Sequence, residues 1–217
     1  MATSANPLIK LAIGLLVLGG IGYFFVQSVK DTRAEPYRVS RGYLRGWTLA
    51  IETASAPSDP VLSLRPPAEF ASVLFRQLFE RHAESMSGPT TPAMPLVLQE
   101  EFTRAFAGVA TVDALFAEAK ASGLATSVMQ PRCMGYRRDS APGVTRQLYF
   151  VVFDSSPFTR FRDQIAKTAA SSGRGDVFKA DALSPVVLVA ASDPSYNQWL
   201  PLRASPENDC TAPITVT

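Results

Sequence analysis

The stretch KLAIGLLVLGGIGYFFVQSVK, residues 10–30, constrains this chain more than any other feature. Between Lys10 and Lys30 there is no charged side chain. The uncharged run from Leu11 to Val29 is 19 residues, about 28 Å as an α-helix at roughly 1.5 Å per residue. That length matches a bilayer core of about 30 Å, with a lysine placed to snorkel at each end. A helix on the surface of a water-soluble core shows a polar face, but this segment is apolar all round until Gln27 and Ser28. The pattern predicts a single transmembrane helix within residues 1–30. A cleaved leader is the rival reading. Its apolar region runs about 7–15 residues and ends at a small-residue site. Here the run Leu11–Val26 is longer, and both Val26-Gln27-Ser28 and Thr32-Arg33-Ala34 are poor cleavage sites. A retained anchor in a lipid bilayer is therefore expected.

Within the segment, Tyr23, Phe24 and Phe25 cluster near one end, as an interfacial aromatic belt does. Ala12, Gly19 and Gly22 fall on one helix face, where small residues admit a second helix. Two signals disagree on the side of the membrane. Lys10 alone precedes the run, whereas Lys30, Arg33, Arg38, Arg41 and Arg45 follow it, which places the domain in the cytoplasm by the positive-inside rule. Against this, a short tail before an apolar segment is the layout of an export signal. Cys133 and Cys210 are the only cysteines. Paired, they close a loop of about 77 residues and contribute about 4 kcal/mol in the chain-entropy model, in an oxidising compartment. Unpaired, they are two buried thiols. The expectation is a periplasmic, extracytoplasmic domain, with the cytoplasmic side as the alternative.

Residues 31–45 are polar and basic and read as a juxtamembrane linker, with Arg33 and Arg38 near lipid headgroups or on a solvated stalk. Residues 46–217 are enough for one domain with a sizeable core. The formal net charge is +2 and no basic run is dense, which argues against a nucleic-acid partner. Many of the 17 prolines stand between periodic segments, so the connections are stiff.

Alternation in GWTLAIETA predicts a strand with Trp47, Leu49 and Ile51 on one face. VLSL (61–64) reads as a second strand. RPPAEFASVLFRQLFERHAESM reads as a helix with a stripe of Phe70, Val73, Leu74 and Leu78, widened by Phe75 and Phe79, and stopped at Gly88-Pro89. MPLVL (94–98) is a buried strand. EEFTRAFAG is helical, and so is TVDALFAEAKASG, with Thr111 as N-cap and Gly123 as stop. Residues 126–137 read as a strand broken by Pro131, then a turn at 139–143, then the strand TRQLYFVVF, in a hairpin. SSPFTRFRDQIAKTAASSG is a helix with Ser156 as cap and Pro157 in its first turn. PVVLVAAS (185–192) is a buried strand, and ITVT adds an edge strand. The order predicts an α+β fold, one mostly antiparallel sheet with helices on one face. The echo between PLVLQEEFTRAF and YFVVFDSSPFTRF is read as chance, not duplication.

Chemistry-bearing patterns are sparse. His82 is the only histidine, so zinc spacing is missing and a Ser-His-Asp set would have to use it. On an apolar helix face it reads as a packing residue. Glu100, Glu101 and Asp154 stand at helix starts, where acids complement the helix dipole. SSGRGD (171–176) lacks the Lys-Ser/Thr end of a phosphate loop. No catalytic, cofactor or metal residue is assigned and no cofactor is expected. The expected role is a non-enzymatic accessory or scaffold subunit docking on the extrinsic face of a membrane protein complex, such as a photosynthetic or respiratory one. Contacts would come from Tyr23, Phe24, Phe25, Arg33, Arg38, Tyr136, Tyr196 and Trp199, since aromatics and Arg are enriched at interfaces. A periplasmic ligand-binding or sensor domain is the alternative.

Overall fold

The computed structural model describes residues 14–24, 35–82, 85–141, 144–193 and 199–217. The chain divides into two compact units, Met1–Glu35 and Pro36–Thr217. In the first unit, residues 14–24 form a helix, α1. Leu15, Leu16, Val17, Leu18, Ile21, Tyr23 and Phe24 are all exposed on it, by 55–77%.

The transmembrane expectation is corrected here. No helix among the described residues is long and apolar enough to cross a membrane. The stretch 14–24 covers about 16 Å at roughly 1.5 Å per residue, half of a hydrocarbon core of about 30 Å. The single-pass assignment and the membrane localisation with a periplasmic domain lose their basis. Lys10, Ala12, Phe25, Lys30 and Arg33 lie outside the described residues.

The second unit is α+β, but its strands form two sheets where one was expected. The five-stranded sheet has the order β1-β8-β5-β6-β7, from β1 (Tyr37–Val39), β5 (Gln130–Ala141), β6 (Val144–Asp154), β7 (Val186–Ala191) and β8 (Cys210–Val216). It is mixed, because β1 runs parallel to β8 while the other pairs are antiparallel. A three-stranded antiparallel sheet holds β2 (Thr48–Ile51), β3 (Pro60–Arg65) and β4 (Met94–Leu98) in sequence order. The helices are α2 (Ala68–Arg81), α3 (Gln99–Glu101, running on as a π-helical turn, Phe102–Phe106), α4 (Val112–Ala121), α5 (Ser156–Ser171) and the short α6 (Pro206–Asp209).

Each side of the five-stranded sheet meets apolar cover, which explains why β6 and β7 read as unbroken apolar runs. Tyr149, Val151 and Phe153 of β6 face a large core shared with both sheets and with Phe70, Leu74 and Leu78 of α2, Leu115 of α4, and Phe158, Phe161 and Ile165 of α5. Leu148, Phe150 and Val152 face a smaller core, closed by Leu200, Leu202 and Ala204. Trp47, Phe70 and Phe153 meet with ring centroids 5.2–5.8 Å apart, a geometry that adds about 0.5–1.5 kcal/mol per pair beyond burial.

Other expectations change in detail. The linker 31–45 does not hold from residue 37 onward, because β1 buries Tyr37 and Val39 and a 3₁₀ turn follows at Arg41–Leu44. ITVT ends β8, whose first half pairs with β5 and whose residues 214–216 pair with β1, so β1 is the edge strand. Pro131 does not break β5; the strand absorbs it with a register shift between Pro131 and Cys133. Ile51 and Phe79 are about half exposed and not core. Helix α2 ends at Arg81, before Gly88-Pro89. Thr111 caps α4 by accepting from the Ala114 N–H, whereas α5 is capped by Ser155, not Ser156.

The Phe-Thr-Arg echo has a local cause. Both copies follow a strand and turn Phe side chains into the large core. The first has one more residue between its phenylalanines, and its backbone takes a π turn closed by Ala107 N–H donating to the Phe102 carbonyl. The wider turn brings Phe106 inward in spite of the extra residue.

Gly135 has a fixed steric role. It pairs with Phe150 across β5 and β6, and a Cβ there would lie 2.5 Å from the Phe150 ring. Gly135→Ala should therefore destabilise the domain by about 1–3 kcal/mol, the usual cost of overpacking. Urea unfolding would show this as a lower midpoint at unchanged slope, partly restored by a second change, Phe150→Leu.

Candidate functional site

The most buried charge in the domain is Arg162, with 1% of its side chain exposed. It sits on α5 in the same apolar stripe as Phe158, Phe161, Ile165 and Ala169. Its guanidinium presents five N–H donors, and five hydrogen bonds are made. Nε donates to the Ala180 carbonyl, Nη1 to the Leu96 carbonyl and Glu101 Oε2, and Nη2 to Glu101 Oε1 and the Lys179 carbonyl, at 2.7–3.1 Å. The Phe178 ring lies 4.3 Å below the guanidinium carbon. Glu101 Oε2 also accepts from the Leu98 N–H. Every donor is used, so this is a structural knot and not a binding head group.

A second buried group lies on the three-stranded sheet. Glu52 accepts from Ser63 Oγ and from both Arg65 Nε, at 2.9 Å, and Arg65 Nη2. Burial by itself would push the Glu52 carboxyl up, but the hydrogen bonds from Arg65 and Ser63 and the Arg65 charge outweigh it. The net result is a carboxyl held below its ordinary value. In the third, Arg137 of β5 binds Asp209 bidentately, and Asp209 also accepts from the Ser205 N–H. Tyr37 is pushed up by burial, which the overlying Arg81 opposes.

The residues singled out in the sequence are scattered. Cys133 and Cys210 form a disulfide with Cα atoms 5.6 Å apart, joining the adjacent strands β5 and β8. His82 is buried at the C-cap of α2 with its ring 5.3 Å from that of Tyr149. Asp154 ends β6 beside Arg132 at 3.5 Å, and Glu100 pairs with Arg104 on the surface. Arg174 of the SSGRGD loop donates to the Ala107 carbonyl. Tyr136 is half-buried with its ring 5.0 Å from Tyr149, Trp199 is half-buried, and Arg38 is exposed on β1. Tyr23, Phe24, Gly19 and Gly22 stand on α1, while Tyr196 lies outside the described residues. Among the described residues, Arg38, Tyr136 and Trp199 line none of the three hollows that follow.

The cavity with open charge was not picked out from the sequence. Arg41, Leu44, Arg45, Val128, Gln130, Pro131 and Val216 line a hollow of about 480 Å³. It shares Val128 and Gln130 with a neighbouring hollow of about 350 Å³ that includes Asp154, Ser155 and Ser156. A third, of about 270 Å³, lies over Arg162, Asp163, Asp181 and Arg203, but Arg162 and Arg203 are spent in ion pairs with Glu101 and Asp181. The signal for the first hollow is Arg-x-x-x-Arg at 41–45, which the linker reading absorbed. Among the described residues no group of three or more His, Cys, Asp and Glu is placed to hold a metal ion. No protein-family model, characterised protein or solved structure is significantly similar to the chain.

Two outcomes test the buried polar groups. Arg162→Met should destabilise the domain by about 3–5 kcal/mol, because Glu101 and three carbonyls lose their donor. Arg162→Met with Glu101→Leu should cost clearly less than the sum of the two single changes in a double-mutant cycle. For Glu52, the folded pKa lies below the unfolded one, so its contribution is present above about pH 4.5 and is lost as pH falls through the folded value. Glu52→Gln should therefore be less stable than the wild type at pH 7, with the difference shrinking toward pH 3 in urea titrations.

Proposed function

We propose that the protein is a non-enzymatic accessory or scaffold subunit that acts by contact, with α1 buried against a protein partner. The observation that carries the reading is the surface of α1. Its seven large apolar side chains are 55–77% exposed and point to all sides of the helix. A surface of this kind is costly in water, at about 25 cal/mol per Å², and contiguous apolar patches mark interaction sites. The second unit supports the same reading. Its most buried carboxylates and guanidiniums are paired with one another and hold the fold together, as at Arg162–Glu101, Arg65–Glu52 and Arg137–Asp209.

The test uses the full chain in its native cells. Wild-type protein should run in a defined assembly well above its own 23.4 kDa. Leu16→Asp with Leu18→Asp should release it as a free chain, while the thermal midpoint of the folded domain stays within about 2 °C, since exposed positions rarely affect stability. A wild-type chain that runs alone, or one that performs turnover when purified, would refute the proposal.

A further inference from the structure

The hollow beside Arg41 and Arg45 combines features that no other described cavity shows. Its volume of about 480 Å³ falls in the range of ligand pockets, about 300–1,000 Å³. Its floor is apolar, from Leu44, Val128, Pro131 and Val216. Arg41 and Arg45 line it as well, and neither makes an ion pair among the described residues. Most other described arginines are engaged: Arg65, Arg104, Arg132, Arg137, Arg146, Arg162 and Arg203 each have a carboxylate.

The segment that carries the two arginines is tied down on several sides. Arg41 N–H donates to the Thr217 carbonyl, and Met129 N–H donates to the Leu44 carbonyl. Trp47 Nε1, from a ring only 2% exposed, donates to the Tyr43 carbonyl at 3.0 Å. The turn Arg41–Leu44 is thus fixed to β8, to the segment before β5 and to the large core. Two cations held at one hollow repel each other, and a single anion between them removes that cost. Guanidiniums suit a planar anion with two oxygens, because their N–H fork donates two parallel hydrogen bonds. The apolar floor asks for more than a bare ion.

We propose that this hollow binds a small monocarboxylate with an apolar tail, its carboxylate on Arg41 and Arg45 and its tail on Leu44, Val128 and Val216. This site is independent of the contact made by α1 and goes beyond the scaffold reading. The tail extends toward Val128 and Gln130, where the second hollow begins.

The experiment is calorimetric titration of the full chain with octanoate, octanamide and acetate. Octanoate carries both the charge and the tail, octanamide the tail alone, and acetate the charge alone. Octanoate should bind at least about tenfold more tightly than either of the others, a difference of about 1.4 kcal/mol. Arg41→Gln with Arg45→Gln should weaken octanoate by at least about tenfold, and so should Val128→Asp, which sets a like charge on the floor. All three side chains are exposed, so the thermal midpoint should hold in both variants. Adsorption of the tail to α1 would give equal binding of octanoate and octanamide, unmoved by the arginine substitutions. That result, or no octanoate binding up to about 10 mM, overturns the proposal.

Discussion

The guanidinium of Arg162 joins three pieces of chain, α5, the β4–α3 stretch at 96–101 and the segment at 179–180, across up to 66 positions of sequence. It holds α5 to the middle of β4 through the Leu96 carbonyl, to α3 through Glu101, and to the 179–180 segment through two carbonyls. Hydrophobic burial is not directional, and the large core around it would accept α5 at several rotations and heights. The planar fork accepts few of these. A buried ion pair adds little net stability against an apolar substitute, so the effect of this one is to fix the position of α5 relative to β4. The three-stranded and five-stranded sheets share their core with that helix, and their relative setting follows from it.

Locally determined elements were legible in the sequence. β3, β4, β6, β7 and most of α2 and α5 follow from apolar periodicity, and the Thr111 cap follows from its side chain. What depends on distant partners was not. β1 has only three residues, Tyr37–Val39, and its partner is β8 at the other end of the domain. No local pattern distinguishes it from a polar linker. The transmembrane expectation rested on apolar composition alone, and no helix among the described residues is long and apolar enough to cross a membrane. Arg162 was missed although a signal was present. Positions 158, 161, 162, 165 and 169 follow the spacing of one helix face, so an arginine among them had to be either paired inside or out of place. The second carboxylate of the Glu100-Glu101 pair was noted, but its partner stands 61 positions further on.

The two units treat water in opposite ways. In the domain, even charged groups are drawn inward once they are matched, as with Glu52 and Asp209, while apolar side chains fill both sides of the larger sheet. In α1, apolar side chains stand exposed with glycines between them, and Gly19, Gly20 and Gly22 have open space where a side chain would begin. Arg41 and Arg45 are a milder case of the same incompleteness, charge set over an apolar floor and left without a carboxylate among the described residues.

The pairing of β1 with β8 bears on how the protein is made. A ribosome delivers the chain from its N-terminus, at about 5–20 residues per second. The strand at 37–39 therefore emerges early, yet its partner is among the last residues of the domain, and Thr217 bonds to Val39 across 178 positions. The interior strand β8 arrives after both of its neighbours. Tyr37 and Val39, buried in the finished molecule, wait in solvent for roughly ten seconds or more at that rate. The larger sheet is completed only after β8 has been synthesised, so its closure is a late step that follows whatever the β5–β6 hairpin has already achieved.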